Sequence, residues 1–168
     1  MKIIISNLAE GEHLYDFSED AETFELGDYS IKDRVAVNVR LIKSNSQVYA
    51  DVNFRCRFEF PCDRCLENFE KDISGSFIVV FKYSRDPDEL KSGDDENIFF
   101  IPPEKNFIDL SGMVRENILV SIPMRKAPDE KDGRCAYCGK TEEEILRNTE
   151  TKEINPVWDK LLNKKNLK

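Results

Sequence analysis

The sequence has no apolar run of the length that a membrane-spanning helix needs. Its N-terminal apolar patch, MKIII, stops at Ser6 and Asn7. The patch lacks the longer apolar core and the small-residue cleavage site of a secretory signal peptide. We therefore expect a cytoplasmic protein that has no membrane partner.

The sequence motifs of common enzyme classes are also absent. The chain has no glycine-rich phosphate loop, no nucleophile elbow and no HExxH zinc motif. His13 is the only histidine, and no neighbour in the sequence stands out as its partner for general-base catalysis. No carboxylate pair is distinctive among the 33 acidic residues. These absences favour a protein that is not an enzyme and has no small-molecule substrate.

Positive charge is in the minority. The chain has 25 Lys and Arg residues against 33 Asp and Glu residues, for a net charge of -8. A phosphate backbone repels such a chain on average, because non-specific nucleic-acid binding needs clustered cations. Any RNA contact must therefore be local or made through a protein partner. The length of 168 residues suits one domain, or one domain with a small appendage.

A period-two alternation of apolar and polar residues is the clearest structural signal. It runs through residues 35–42, resumes at residues 48–60 after a polar turn, and is followed by a third strand at about residues 69–83. The alternation predicts a long antiparallel hairpin with one buried and one wet face. Gly75 is expected to mark a bulge or a bend in the third strand.

The other elements of the first domain are shorter. A strand at residues 2–6 is followed by an irregular acidic segment that reaches residue 30, and a charged loop at residues 84–97 precedes a short strand at residues 98–101. A helix is predicted before Pro123, which ends it, with Asn106 or Asp109 as its cap. Its apolar residues, at helical spacing, are expected to pack on the sheet: Leu110, Met113, Val114 and Ile118.

Residues 1–123 are therefore expected to form an α+β domain with a twisted antiparallel sheet, either a meander or a partly open barrel, and one packed helix. Residues 124–168 form a C-terminal tail of different character. A capping box of Thr141 and Glu144 opens a short helix there, and residues 155–162 indicate a last helical turn or two. We expect this tail to dock on the first domain and to be tied to it by zinc.

Two Cys-x-x-Cys pairs, Cys62 with Cys65 and Cys135 with Cys138, are the strongest functional signal. Each pair can place two sulfurs on one ion through a tight turn, and two such turns complete the tetrahedron of structural zinc. Gly139 directly follows the second pair, where a positive φ would aim backbone N–H groups at the sulfurs. A zinc site filled by four cysteines is structural, because no position stays open for a substrate.

Two other interpretations of these cysteines stay open. A redox pair is typical of a βαβ unit with its first cysteine at a helix N-terminus, whereas the first pair here follows a predicted β-strand. Alternatively, the four cysteines would be reduced thiols in polar loops that bind no metal. Cys56 lies on the apolar face of the second hairpin strand, which indicates a small core residue.

Basic residues flank both cysteine pairs. If the pairs meet, these side chains would form a local positive patch that contacts phosphates or another partner. The competing interpretation is a surface of mixed charges, since Glu59, Asp63 and Glu67 lie among them. The candidate contact residues are Arg55, Arg57, Arg64, Arg125, Lys126, Arg134 and Lys140.

Several of these segments occur together, in the same order, in one known family. They are FPCDRCLENFE at residues 60–70, the strand SFIVVFKY, the acidic loop, the helix segment from IFFIPP to SIPMR, and INPVWDKLL near the end. In this respect the chain resembles the YceD-type large ribosomal RNA subunit accumulation proteins over nearly its whole length. The strongest element of the resemblance is the Cys-x-x-Cys-Leu of Cys62, Cys65 and Leu66.

The resemblance implies a non-enzymatic factor in the accumulation of large-subunit ribosomal RNA, and so in ribosome assembly. Such a factor would bind precursor ribosomal RNA or a ribosomal protein, and the acidic charge favours a basic protein. Two other classes stay open. One is a thiol- or metal-dependent enzyme with a redox or RNA-modifying activity, and the other is a zinc-stabilised interaction module unrelated to ribosomes.

Overall fold

The computed structural model describes residues 1–27, 29–88, 90, 97–128, 130–136, 138–141 and 143–145. The chain divides into two compact units. The first comprises residues 1–60 and 68–126, and the second comprises residues 61–67 and 127–168. The predicted boundary after residue 123 and the docking of the tail stay predictions, and the helical turns predicted at residues 155–162 lie outside the described residues.

The first unit contains most of the strands and one α-helix, so the protein is mainly β-sheet with a helix. Within the described part of the chain, no helix is long and apolar enough to span a membrane. The elements are β1 (Lys2–Ile4), β2 (Gly11–Glu19), β3 (Ser30–Ile31), β4 (Val35–Lys43), β5 (Gln47–Pro61), β6 (Asn68–Tyr83), β7 (Ile98–Ile101), β8 (Phe107–Asp109) and α1 (Ser111–Ser121), with a 3₁₀ turn at Ala21–Phe24.

Six of these strands form one sheet in the order β2-β4-β5-β6-β7, with β3 paired to β5. Among the described strands, β2 and β7 are the two edges and do not pair with each other, so the sheet is open. The remaining strands, β1 and β8, form a separate antiparallel pair with Ile3 opposite Ile108.

The predicted hairpin is confirmed. In β4 and β5 every second residue is buried, and Val39 lies opposite Val52 in an antiparallel ladder. The buried positions of β5 include Phe54, Phe58 and Phe60, which fill the core beneath the sheet. Burying these rings removes a large apolar area from water, which stabilises this unit.

The sequence predicted an antiparallel sheet, but one pair of strands in the main sheet is parallel. β7 runs parallel to β6, with Val80 opposite Ile98 and Tyr83 opposite Ile101. A parallel partner needs a long connection that returns the chain to the starting end of the strand, whereas a tight turn gives an antiparallel pair. Residues 84–97 supply that connection between the two strands.

The prediction of an irregular segment up to residue 30 is wrong for β2. Nine residues there pair with β4 from Gly11 opposite Lys43 to Glu19 opposite Val35, so His13 lies in a regular strand. No residue of β2 is fully buried. Because β2 is an edge strand, its apolar alternation is weak and acidic residues are tolerated on it.

The predicted helix is present. Leu110, Val114 and Ile118 are fully buried, and α1 packs against β6. The Oδ1 atom of Asp109 accepts a hydrogen bond of 3.0 Å from the main-chain N–H of Ser111. That bond satisfies one of the donors that the first turn of a helix leaves open, although Leu110 occupies the N-cap position itself.

Gly75 makes no bulge in β6. The same parity of residues faces inward before and after it, as Ile73 and Val79 are both buried. A Cβ atom at this position would lie 2.6 Å from Cζ of Phe54 and 3.2 Å from Oγ of Ser121 in α1. The glycine is therefore required by the close approach of the Phe54 ring and the helix.

Candidate metal centre

The two cysteine pairs meet in the second unit. The Sγ atoms of Cys62, Cys65 and Cys135 all lie within 4.8 Å of one another, and Cys138 joins them through a hydrogen bond with the Cys65 thiol. Cys62 and Cys135 are buried, whereas Cys65 and Cys138 are half-buried. All five cysteines of the chain are described, and none forms a disulfide. The four sulfurs form a cluster that could hold a metal ion.

The first pair lies in a tight turn directly after β5. The main-chain N–H of Cys62 donates to the carbonyl of Glu67 at 2.9 Å, and the N–H of Leu66 donates to the carbonyl of Cys62 at 2.9 Å. Leu66 adopts a left-handed conformation with a φ of 61°. This conformation closes the turn and returns the chain to β6.

The second pair lies in a turn with the same pattern. The N–H of Cys135 donates to the carbonyl of Lys140 at 3.0 Å, and the N–H of Gly139 donates to the carbonyl of Cys135 at 2.8 Å. Gly139 has a φ of 70°, which confirms the positive φ predicted there. Leu66 therefore takes the same position and conformation in the first turn as Gly139 takes in the second turn.

Cys135 is presented by a short hairpin that the sequence analysis also missed. Strands β9 (Glu130–Lys131) and β10 (Arg134–Cys135) pair antiparallel, with Cys135 opposite Glu130. The two residues between them, Asp132 and Gly133, have φ values of 55° and 70°. Positive φ at both central residues is typical of a type I′ turn, for which the Asp-Gly pair in the sequence is the signal.

The predicted capping box is present after the second turn. The N–H of Thr141 donates to Oε2 of Glu144 at 2.9 Å, and the N–H of Glu144 donates to Oγ1 of Thr141 at 3.3 Å. These reciprocal bonds satisfy two donors at a helix start. The length of the helix that follows lies outside the described residues.

The environment of Cys65 disfavours its thiolate in the absence of a cation. Burial raises the pKa of the Cys65 thiol to about 12, and hydrogen bonds with Cys138 and Cys62 and the nearby Cys62 charge add to the rise. Only a hydrogen bond with the backbone of Glu67 acts in the opposite direction. A bound metal cation would reverse this balance, because it deprotonates the thiols that coordinate it.

A reactive redox or nucleophilic cysteine needs the opposite environment. Such residues have a lowered pKa, from a helix N-terminus or a neighbouring cation, so that the thiolate is present near pH 7. Cys65 has a raised pKa, and Cys62 follows the end of a β-strand. The surroundings of Cys65 and Cys62 thus differ from those of a typical reactive cysteine, while the close sulfurs are compatible with a shared metal ion.

Arg55, Arg57 and Lys126, three candidate contact residues of the first unit, contact other side chains. Arg55 and Arg57 both pair with Asp72, at 3.0 Å and 2.8 Å. Their hydrogen bonds lower the pKa of the Asp72 carboxyl, and Arg57 contributes most. The Nζ atom of Lys126 lies 4.9 Å from the centroid of the Tyr29 ring, a cation–π contact. Arg125 is exposed.

The candidate contact residues of the second unit lie beside the cysteine turns. Arg64 donates from Nη2 to the carbonyl of Pro128 at 3.0 Å. Arg134 donates from Nη1 to the carbonyl of Gly139 at 3.1 Å. Both arginines therefore connect main-chain segments around the cluster, while Lys140 is exposed. A role of these residues in binding a partner stays a prediction.

Comparison with known proteins assigns a family to the chain. A family model described as Large ribosomal RNA subunit accumulation protein YceD matches residues 50–165, well over half of the sequence. The matched span includes both cysteine pairs. A search of the curated proteins and a search of the solved structures each found no match. The chain thus belongs to the YceD family of large ribosomal RNA subunit accumulation proteins, the family that its motifs resembled.

Proposed function

We propose that this protein is a non-enzymatic, cytoplasmic factor in large-subunit ribosomal RNA accumulation and ribosome assembly, and that it acts by binding a ribosomal protein. The family description supports the process. The observation that supports a binding mechanism is the meeting of four cysteine sulfurs in one cluster. A metal there would have no open coordination position, so the site would serve structure rather than catalysis.

Zinc is the metal that this donor set suits best. Four cysteine thiolates favour a tetrahedral site with Zn–S distances of about 2.3 Å, which places neighbouring sulfurs about 3.8 Å apart. The Sγ atoms of Cys62, Cys65 and Cys135, which lie within 4.8 Å of one another, need only a small contraction to reach that geometry. Bound zinc would join the turn at residues 61–67 to the segment around Cys135 and Cys138 and would contribute folding free energy to the second unit.

The charge distribution supports a protein partner over direct contact with RNA. The net charge of -8 repels phosphate, and Asp72 and Asp33 offset the charges of Arg55 and Arg57. A basic ribosomal protein would instead be steered towards the acidic surface. Contact with precursor ribosomal RNA is the competing outcome of the experiment below.

The process is tested by complementation of cells that lack this protein. The ratio of large-subunit to small-subunit ribosomal RNA is measured after expression of the wild type, Cys62→Ser, Cys135→Ser or Cys56→Ala. Cys56→Ala is the matched control, because it removes a buried cysteine outside the cluster. We expect the wild type and Cys56→Ala to restore the ratio and the two cluster variants to fail. An unchanged ratio in cells without the protein would contradict the proposed process.

The partner is tested by affinity purification from pre-ribosomal fractions, with and without ribonuclease treatment. A ribosomal protein that stays bound after ribonuclease supports the protein partner. Loss of all bound material after ribonuclease would show that RNA carries the interaction and would overturn this part of the proposal.

A further inference from the structure

The acidic charge of the protein is concentrated in one segment. Residues 3–31 contain eight acidic residues and no Lys or Arg, so they carry a charge as large as the net charge of the whole chain. Glu12 pairs with Arg40 at 2.8 Å, and Asp20 pairs with Arg34 at 3.0 Å. The acidic residues of this segment that form no ion pair with a described Lys or Arg are Glu10, Asp16, Glu19, Glu22 and Glu25.

Within this acidic segment, β2 forms an edge of the main sheet. β2 pairs with β4 along all nine of its residues, and none of the other described strands pairs with its opposite side. Nine residues extend for about 30 Å at about 3.4 Å per residue. The outer edge of β2 therefore presents a row of main-chain N–H and C=O groups that an added strand can pair with.

The side chains of β2 alternate in character along this edge. Glu12, Leu14 and Asp16 lie on the exposed face, and the Leu14 side chain is 73% exposed. On the other face, the rings of Tyr15 and Phe17 stack with centroids 6.2 Å apart. An added strand would therefore meet carboxylates and one aliphatic side chain in alternation on the exposed face.

We propose that the outer edge of β2 binds an extended, Lys- and Arg-rich segment of a partner protein as an added β-strand. This inference rests on the proposed function, since it describes how a basic ribosomal protein would be bound. Main-chain hydrogen bonds would supply affinity, and the carboxylates would select basic side chains. The same carboxylates disfavour the alternative occupants, because two acidic β2 edges repel each other and a phosphate backbone is repelled as well.

The test uses a synthetic probe and the purified full-length protein. The probe is a nine-residue peptide of alternating Lys and Val, and its matched control carries an N-methyl group on every residue. The control keeps the charge but has no main-chain N–H to donate from either strand edge. We expect binding of the probe, measured by fluorescence anisotropy, to be at least about tenfold tighter than binding of the control. Equal binding of the two peptides would overturn strand addition.

The location of the site is tested with two charge variants of equal size. Asp16→Lys with Glu19→Lys alters the β2 edge, whereas Glu104→Lys with Glu116→Lys alters exposed positions outside β2. We expect the first pair to weaken probe binding about tenfold and the second pair less than about twofold. Equal weakening would overturn the assignment to β2, as would dimerisation of the protein through this edge in sedimentation experiments.

Failure of this inference is distinguishable from failure of the proposed function. The probe assay contains no ribosomal component and reports only on the β2 edge. Complementation by the Asp16→Lys, Glu19→Lys double variant provides the link: loss of probe binding with full restoration of the ribosomal RNA ratio would show that the edge does not serve the proposed function.

Discussion

The Sγ atoms of Cys62 and Cys135 lie within 4.8 Å of each other, although β6, β7, β8, α1 and β9 separate the two residues in the chain. Each cysteine begins a turn in which its own N–H and C=O form the same two main-chain hydrogen bonds. Two matched turns that bring their sulfurs together are the arrangement that a tetrahedral thiolate site needs. The proposed structural role of the second unit depends on this cluster.

Thiol reactivity distinguishes a metal site from a catalytic cysteine. In protein purified with its metal, we expect the four cluster thiols to react slowly with an aromatic disulfide reagent and to become accessible after addition of a chelator. Cys56 should stay unreactive in both states until the protein unfolds, because only 3% of it is exposed. A single thiol that reacts fast before chelation would instead indicate a low pKa and an enzymatic role.

Cys56 gives the first unit a pH-dependent stability. Burial raises the pKa of its thiol from 9.0 to about 11, and the charge of Asp72 adds to the rise. The folded state therefore keeps a proton that the unfolded chain loses above a pH of about 9, so stability is full below that pH and falls as the pH rises towards 11. The Cys56 thiol also donates to the carbonyl of Ile73 at 3.7 Å, which favours the neutral form.

The measurement is denaturant unfolding between pH values of about 8 and about 11, for the wild type and Cys56→Ala. We expect the free energy of unfolding to fall more steeply with pH in the wild type, even though Cys56→Ala is less stable at neutral pH. If the free energy of unfolding falls equally with pH in both proteins, the Cys56 thiol is not the group that keeps its proton in the folded state.

Gly75→Ala should destabilise the first unit. Its new Cβ atom would lie 2.6 Å from Cζ of Phe54, so the ring or the strand must shift, at a cost of about 1–3 kcal/mol. Gly112→Ala is the matched control, because a Cβ atom there has no heavy atom within 4 Å and the position lies in α1. The control should gain about 0.5–1 kcal/mol from helix propensity. Equal effects of the two substitutions on thermal unfolding would contradict the close packing of Phe54 against β6.

Much of the sheet could be predicted from the sequence. Because β4 and β5 are buried on one face, apolar and polar residues alternate along them with a period of two. β2 could not be predicted, since an edge strand with one exposed face and one only half-buried face has a weaker pattern. The direction of β7 could not be predicted either. Strand direction depends on the path of the connection at residues 84–97, which has no periodic pattern of its own.

The ligand set of the cluster could be predicted from spacing and residue type, since two Cys-x-x-Cys pairs are what a tetrahedral site requires. The conformation of the first turn could not. A leucine rarely adopts a positive φ, so nothing in the local sequence indicates that Leu66 takes the conformation of Gly139. The fold supplies that conformation through the two hydrogen bonds that close the turn at Cys62.

The most direct test is the metal content of the untagged protein, measured for the wild type, Cys62→Ser, Cys135→Ser and the control Cys56→Ala. We predict one zinc ion per chain in the wild type and in Cys56→Ala, and loss of the metal in both cluster variants. That result would show that the two cysteine pairs share one site. A wild-type protein without metal and with four freely reactive cluster thiols would contradict the zinc site and the structural role proposed for it.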